Sequence, residues 1–422
     1  MPNNFDSNIS RKLMRSFIQG FEANRVFSKA VDTQAFQGEY TPATGSTIDI
    51  KRPTDFKTKR SPGGDITAVG RSDIIVGKAS ATVQDYFTVD VDWTAVEQAL
   101  RMDQMDELLE PIAKRMVIDL ELDFAAFVMR NTSGAIGTTG VQVDTWEKVA
   151  NMGAMMQSIG IGDDVSYFMN PFTQARLASV QRSIGAGAEG LAKTAHELAT
   201  ISKNYAGMNV MTSTTLQSFT TGAGADRVGA LSATPTQTYL ALKDTYYQTL
   251  AVNGFQAGLV VRAGDVIRVT GRNMLNLATR QQIFDAAGAA IPFTATVAQD
   301  VTLDGTGAGN IVICGPAIFE TGVSAAFNTV SSALTSGDVV TLLGAAATSY
   351  QPGIVLQKNA FSIATIPIPK LFSTDTTAKT KDGLQFRVSK YANGDANRQI
   401  IRFDLWPAYG VLDAYRAKQA WG

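Results

Sequence analysis

The sequence of 422 residues holds a single cysteine and a single histidine. Cys314 alone excludes any disulfide within the chain and fits folding in a reducing compartment. It sits in Ile311-Val312-Ile313-Cys314, where a buried small hydrophobe is the default. His196 and Cys314 are too few for a zinc site of His and Cys ligands. A Ser-His-Asp triad needs only one histidine, but no Gly-x-Ser-x-Gly element accompanies His196. No Gly-Lys-Ser/Thr phosphate loop occurs. No run of about twenty apolar residues exists, which excludes a membrane-spanning helix. The opening Met1-Pro2-Asn3-Asn4 has no apolar run either, so no signal peptide is expected. Charge is also scarce, at 18% charged residues against about 25% in ordinary globular chains. Neighbouring molecules covering much of the surface would explain that, and so would dilution by Ala, Thr, Ser and Gly. The net charge of −1 gives no sign of the basic stripe that a general nucleic-acid binder needs.

What the chain does have is length and pattern. Its size calls for two or three domains. An extended arm starts at Thr47-Ile48-Asp49-Ile50 and runs through Lys51-Arg52-Pro53 into a polar tip (55–71). It is expected to return through 80–83 and 86–93, where Phe87, Val89, Val91 and Trp93 alternate with polar residues as in a half-buried strand. A two-stranded ribbon is marginal alone in water, so this one should lie on something, most simply a second copy of the chain. Upstream, Ile9, Leu13, Phe17 and Phe21 form an apolar stripe on a helix over 8–30, with a break expected near Gly20. Downstream, a short helix is expected over 94–101. A long helix then runs to about Arg130, with Pro111 near its start and Ile112, Met116, Leu120, Phe124 and Phe127 on one face. A helix over 144–159 should be capped by Asp144 and bury Val149, Met152, Met156 and Ile159. Tyr167-Phe168-Met169 reads as a strand, and Asn170-Pro171 opens another helix.

From 223 to 347 helical periodicity gives way to short candidate strands at 236–243, 247–252, 265–270, 291–298, 310–318 and 338–343. Six such strands with turn-rich breaks suggest a small antiparallel barrel inserted into an α+β body. Gly222-Ala223-Gly224-Ala225 and Gly344-Ala345-Ala346-Ala347 look like its hinges. Strands at 361–367, 384–391 and 398–406 close the chain, with a turn at Asn393-Gly394.

Candidate chemistry is weak throughout. Gly185-Ala186-Gly187-Ala188-Glu189-Gly190 matches a dinucleotide-binding pattern but follows a helix, not a strand, so a loop is the better account. Asp300 and Asp304 lack calcium-loop spacing. Glu107/Glu110 and Asp119/Asp123 could pair for acid–base work, but an exposed helix without a histidine or metal partner usually carries such acids as solvated surface. Charge is nevertheless segregated. Lys51, Arg52, Lys57, Lys59 and Arg60 make the ribbon basic. The stretch 85–123 is acidic, with Asp103, Asp106, Glu107 and Glu110 at the start of the long helix. Either these are two solvated faces, or the basic arm of one copy lies over the acidic region of another.

The order of parts and several strings carry a resemblance. The strings are Pro2-Asn3-Asn4-Phe5-Asp6-Ser7-Asn8, Ile50-Lys51-Arg52-Pro53, Phe386-Arg387-Val388-Ser389-Lys390-Tyr391-Ala392-Asn393-Gly394-Asp395-Ala396-Asn397 and Arg402-Phe403-Asp404-Leu405. Together they resemble the major capsid (coat) proteins of tailed bacteriophages with the Hong Kong 97-type fold, in the short-tailed-phage branch with an inserted β-barrel domain. The resemblance covers essentially the whole chain. It implies an N-arm at 1–35, an E-loop hairpin with flanking strands at 36–92, and a peripheral (P) domain with its spine helix at 93–144. Mixed P and axial (A) domain follows at 145–222, then the inserted barrel at 223–347, then the A domain and closing P-domain strands at 348–422. It further implies self-assembly as hexamers and pentamers into an icosahedral shell around double-stranded DNA bound without sequence specificity. A scaffolding protein and a portal protein would be partners, and the shell would form in the host cytoplasm. No enzymatic activity, cofactor, metal or membrane is expected. Lys51, Arg52, Lys57, Lys59, Arg60, Asp103, Asp106, Glu107 and Glu110 become candidate inter-subunit contacts. Arg11, Lys12 and Arg15 become candidate scaffold contacts, favouring an acidic partner segment. The alternative is an encapsulin-like compartment shell enclosing cargo enzymes. A carbohydrate-active or adhesive protein is a third class, disfavoured by the absence of a signal peptide and of aromatic platforms.

Overall fold

The computed structural model describes residues 5–33, 35–36, 45–65, 67, 71–94, 105–162, 164–183, 189–371, 375–393 and 398–422. Contacts divide it into two compact units, 1–50 with 80–125 and 361–410, and 51–79 with 126–360 and 411–422. The expected short helix at 94–101 falls almost wholly outside the described residues.

In the first unit, helix α1 spans Phe5–Asn24 and α2 spans Met105–Arg130. The apolar stripe of α1 is used as its spacing predicts. Phe17 and Phe21 are fully buried. Phe17 stacks on Phe403 with centroids 4.6 Å apart, and Phe21 meets Phe386 edge-on at 4.6 Å. Gly20 does not break the helix. It faces Ala113 of α2, where an added Cβ would come within 3.4 Å. The helix stops at Asn24 rather than continuing to residue 30, and a 3-10 turn follows at Phe27–Lys29. The 26 residues of α2 span about 39 Å at ~1.5 Å per residue. Pro111 lies in its second turn rather than its first, so it removes one helical hydrogen bond without starting the helix. Ala113, Met116, Val117, Leu120 and Phe124 are buried along one side.

Two four-stranded sheets complete this unit. One has the order Thr47–Lys51, Lys78–Val83, Pro407–Val411, Phe361–Thr365. The other has the order Thr376–Lys379, Gln385–Asn393, Arg398–Leu405, Phe87–Thr94. The ribbon is therefore shorter than expected. Its return strand is Lys78–Val83, and 87–94 belongs to the second sheet, where Val89 faces Phe403 and Val91 faces Ile401. Alternation correctly marked that segment as a half-buried strand. A period of two identifies the faces of a strand but not its partner.

The second unit holds a closed six-stranded barrel. Its cyclic order is Tyr247–Asn253, Gly309–Cys314, Pro292–Val297, Val266–Asn273, Val339–Leu342, Val228–Leu231. Every neighbouring pair is antiparallel. Leu250, Val252, Ile267, Val269, Ala295, Val297, Ile311, Ile313 and Val340 are buried, as inward alternation in a small barrel requires. Five of the candidate strands are barrel strands. The segment 236–243 is not: it holds a one-turn helix at Tyr239–Leu242. The missing strand is Val228–Leu231, four residues long and interrupted by Gly229, which left little pattern to read.

Beside the barrel sequence, the same unit contains a six-stranded sheet ordered Ala135–Ile136, Ala417–Ala420, Gly353–Gln357, Val165–Met169, Met208–Thr212, Asn204–Tyr205. Helices α3 (Trp146–Ile159), α4 (Pro171–Arg182) and α5 (Glu189–Leu198) accompany it. Val149, Met152, Met156 and Ile159 are all buried. The cap of α3 is Thr145, whose hydroxyl accepts from Lys148 N at 3.3 Å, and Asp144 instead takes the Lys148 ammonium at 2.7 Å. The chain crosses into the barrel and back through adjacent segments. Phe219–Thr220 pairs with Ser349–Tyr350, and the Thr221 hydroxyl donates to Ala345 O at 2.6 Å.

Candidate assembly interface

The N-terminal helix is tied down by buried charge. Glu121 of α2 is 2% exposed. One of its oxygens accepts from Phe27 N at 2.7 Å, and the other from Ser28 N at 2.9 Å and from the Ser28 hydroxyl. Arg25, also buried, donates from Nε to Ser28 Oγ at 2.8 Å and meets Asp382 at 3.1 Å. Burial pulls the Arg25 guanidinium below its ordinary range, and Asp382 and Glu121 pull the other way. This cluster closes the buried backbone donors of the 3-10 turn with a carboxylate, a charge-assisted arrangement stronger than a neutral one. Arg15, on α1, is exposed, and Arg11 and Lys12 lie on the same helix. Their side chains, like those of Asp106, Glu107 and Glu110 on α2, lie outside the described residues, as does Asp103.

The carboxylates of the acidic stretch do not form one solvated face. Glu121 is the buried anchor just described. Asp119 pairs with Arg115 one turn back at 3.0 Å. Asp123 accepts from the Tyr409 hydroxyl at 3.0 Å, and Asp92 pairs with Arg398 at 2.8 Å. Pairing Asp119 with Asp123 for acid–base chemistry is therefore unsupported, since each has a partner of its own.

On the ribbon, Lys51, Lys57 and Arg60 are exposed and Lys59 is half-buried. Arg52 is different. Its guanidinium lies 3.7 Å from the centre of the Tyr246 ring and donates to Lys243 O at 2.8 Å. The base of the ribbon is thus supported within its own chain, where a second copy was the simplest support expected. Apolar side chains nevertheless remain uncovered: Phe56 is 53% exposed and Ile74 76%.

His196 is exposed in the last turn of α5. Cys314 is fully buried, its thiol donates to Asn131 O at 3.3 Å, and burial pushes it up to about 12. Among the described residues no group of His, Cys, Asp and Glu side chains is placed to hold a metal ion, and no helix is long and apolar enough to cross a membrane. Of the dinucleotide-like string, 185–188 lies outside the described residues. Glu189 and Gly190 open α5. Several buried charges escaped sequence reasoning, Glu121 and Lys418 among them. Glu121 sits four residues from Val117, inside the apolar spacing, and that was its signal. Lys418 is fully buried among Ala417, Gln419 and Ala420, and its ammonium donates to Ser133 O at 2.7 Å. Burial pulls it down to about 7.

Comparison with known sequences places the chain in the class of phage coat proteins. The chain belongs to the P22 coat protein family, described as P22 coat protein, gene protein 5, whose model matches residues 1–415. It is 35% identical over 427 aligned positions to a major capsid protein of Acyrthosiphon pisum secondary endosymbiont phage 1, covering 100% of both chains. Among solved structures it is similar to one from Mycobacterium phage Che8, with TM-score 0.44, 9% identity, and coverage of 94% of this chain and 90% of that one. It is also similar to the mature capsid of bacteriophage PhiM1, with TM-score 0.44, 8% identity, and coverage of 94% and 86%. The likeness in space is loose and adds no residue-level correspondence.

Proposed function

We propose that this chain is the shell subunit of a phage and self-assembles as hexamers and pentamers into an icosahedral capsid around double-stranded DNA. One observation carries this reading: 35% identity along the full length of a relative named as a major capsid protein. In the Hong Kong 97-type arrangement, 1–35 acts as the N-arm, 36–92 as the E-loop with its flanking strands, and 93–144 as P domain with the spine helix. Residues 145–222 and 348–422 supply the rest of the P and A domains, and 223–347 is the inserted domain. The ribbon of one subunit reaches a neighbour, where Lys51, Lys57, Lys59 and Arg60 meet Asp103 and the acidic residues Asp106, Glu107 and Glu110 of α2. The exposed Phe56 and Ile74 support this, because apolar side chains at the end of a ribbon gain from being covered. Arg11, Lys12 and Arg15 offer a basic face to an acidic segment of a scaffolding protein. A portal protein completes the shell, which forms in the host cytoplasm. The work of the chain is structural rather than catalytic. The family match lends nothing to the compartment-shell alternative.

Electron microscopy of the purified protein, with scaffolding protein supplied, tests this. Closed shells or capsomers are expected. Compact monomers alone at every concentration contradict it.

A further inference from the structure

The base of the ribbon is gripped by the barrel along both of its strands. On the outgoing strand, Arg52 donates to Lys243 O at 2.8 Å and covers the Tyr246 ring. Three residues further, Asp55 pairs with Arg280 at 2.8 Å, and Arg280 Nη1 donates to Asn328 O at 2.9 Å. On the returning strand, Ile75 packs with Tyr239, Leu242 and Ile318. Gly77 lies so near the barrel that a Cβ there would come within 2.2 Å of Lys243 O. Gly77 O also accepts from Arg52 N at 2.8 Å. The same short segment, 243–246, is therefore held by both ribbon strands.

The grip is not a packed core. A cavity of about 460 Å³ lies against it, lined by Arg52, Asp55, Tyr246, Arg280, Tyr415 and Arg416 among others. The attachment rests on one apolar contact at Ile75, an ion pair, a cation–π contact, a hydrogen bond to Lys243 O and one close backbone approach. Asp55 is 45% exposed on its side chain, so its pair with Arg280 is a weak one. Contacts of this kind hold a direction yet yield to a better partner. Phe56, Ile74 and Val76, next to the gripped residues, are 53%, 76% and 39% exposed, so the grip leaves that apolar surface uncovered.

We propose that the inserted barrel aims the ribbon. It holds residues 51–55 and 75–77 in one direction so that the uncovered apolar residues are presented to a second copy of this chain, with Arg52 and Arg280 as positioning residues. The presentation to a second copy rests on the shell reading above. The grip itself does not. Holding the ribbon in advance removes part of the ordering entropy that its capture would otherwise cost. Arg52 then acts through the direction of the ribbon and not by touching the neighbour.

Amide hydrogen exchange on the soluble subunit, paired with electron microscopy of assembled material, tests this with Arg280→Ala, Gly77→Ala and the swap Asp55→Arg with Arg280→Asp. Arg280→Ala is expected to raise exchange in 51–55 and 75–79 about fivefold and to lower the yield of well-formed shells. Exchange in Tyr247–Asn253 and Val266–Asn273 should stay unchanged, which shows the barrel still folded. The swap should restore most of both readouts. Gly77→Ala should loosen the ribbon without touching any charge. Unchanged exchange in both single variants overturns the grip. Raised exchange with normal shell yield overturns the aiming role. Wild-type protein that forms no shells defeats the shell reading instead, and the exchange result still stands on its own.

Discussion

The barrel strand Tyr247–Asn253 has a hydrogen-bonded partner on each side, whereas the ribbon strand Thr47–Lys51 has one on a single side. Both are antiparallel β-structure. The barrel closes on itself, so it has no free edge and its alternate side chains fill its own interior. The ribbon ends its sheet on an open edge. Its base is held by a few contacts, and Phe56 and Ile74 beside that base stay uncovered. One region is finished by its own chain, and the other leaves an edge strand and apolar side chains open among the described residues. Substitutions in the barrel should therefore cost stability, and substitutions on the ribbon should cost assembly.

The contrast breaks if anchors and contacts trade effects, and four substitutions probe it. Glu121→Ala should have the largest effect on stability, about 3–5 kcal/mol, because it strands two buried backbone donors and leaves Arg25 short of a counter-charge. Urea unfolding measures the loss, and Glu121→Gln, which keeps an acceptor, should lose less. Next comes Ile267→Ala in the barrel, expected to cost about 2–5 kcal/mol. At temperatures where the variant stays folded, its shells should look like those of the parent. A smaller effect belongs to Lys418. Its folded-state value of about 7 lies below the ordinary lysine value. Between that value and the ordinary lysine value of 10.5 the unfolded chain holds more protons at this group than the folded one, so its contribution to stability should rise with pH. Below about 7 both states are protonated and the contribution is flat. The rise should vanish in Lys418→Met. The smallest stability effect, within about 0.5 kcal/mol, is expected for Lys57→Glu with Lys59→Glu and Arg60→Glu. That triple reversal should leave the circular dichroism of the subunit unchanged and sharply reduce particle yield. Unchanged yield would make those cations ordinary solvated residues.

The same contrast explains what could be read in the sequence. Patterns local to one element were legible. The stripe of Phe17 and Phe21 on α1, the buried face of Val149, Met152, Met156 and Ile159 on α3, and five barrel strands all follow from periodicity. Pairings between distant segments were not. Nothing in Phe87–Thr94 says that it joins Arg398–Leu405 rather than Thr47–Lys51, because alternation fixes a strand's faces and leaves its partner open. The roles of Asp119, Glu121 and Asp123 were misjudged for a related reason. Three acids within five residues look like one solvated face, but each occupies a different direction around the helix and meets a different partner. Val228–Leu231 was too short to show a period, and Arg52 looked like a free surface cation because its aromatic partner lies almost two hundred positions away. The resemblance of the whole chain to a capsid family, carried by the order of these parts and by several strings, added what periodicity could not, the family itself.

The account stands on the uncovered part of the ribbon being finished by another copy of the chain. Cryo-electron microscopy of assembled particles, read at residues 55–76, tests that most directly. It should place Phe56 and Ile74 against a neighbouring subunit and out of solvent. Particles in which both remain in solvent, touching no other copy, would contradict it.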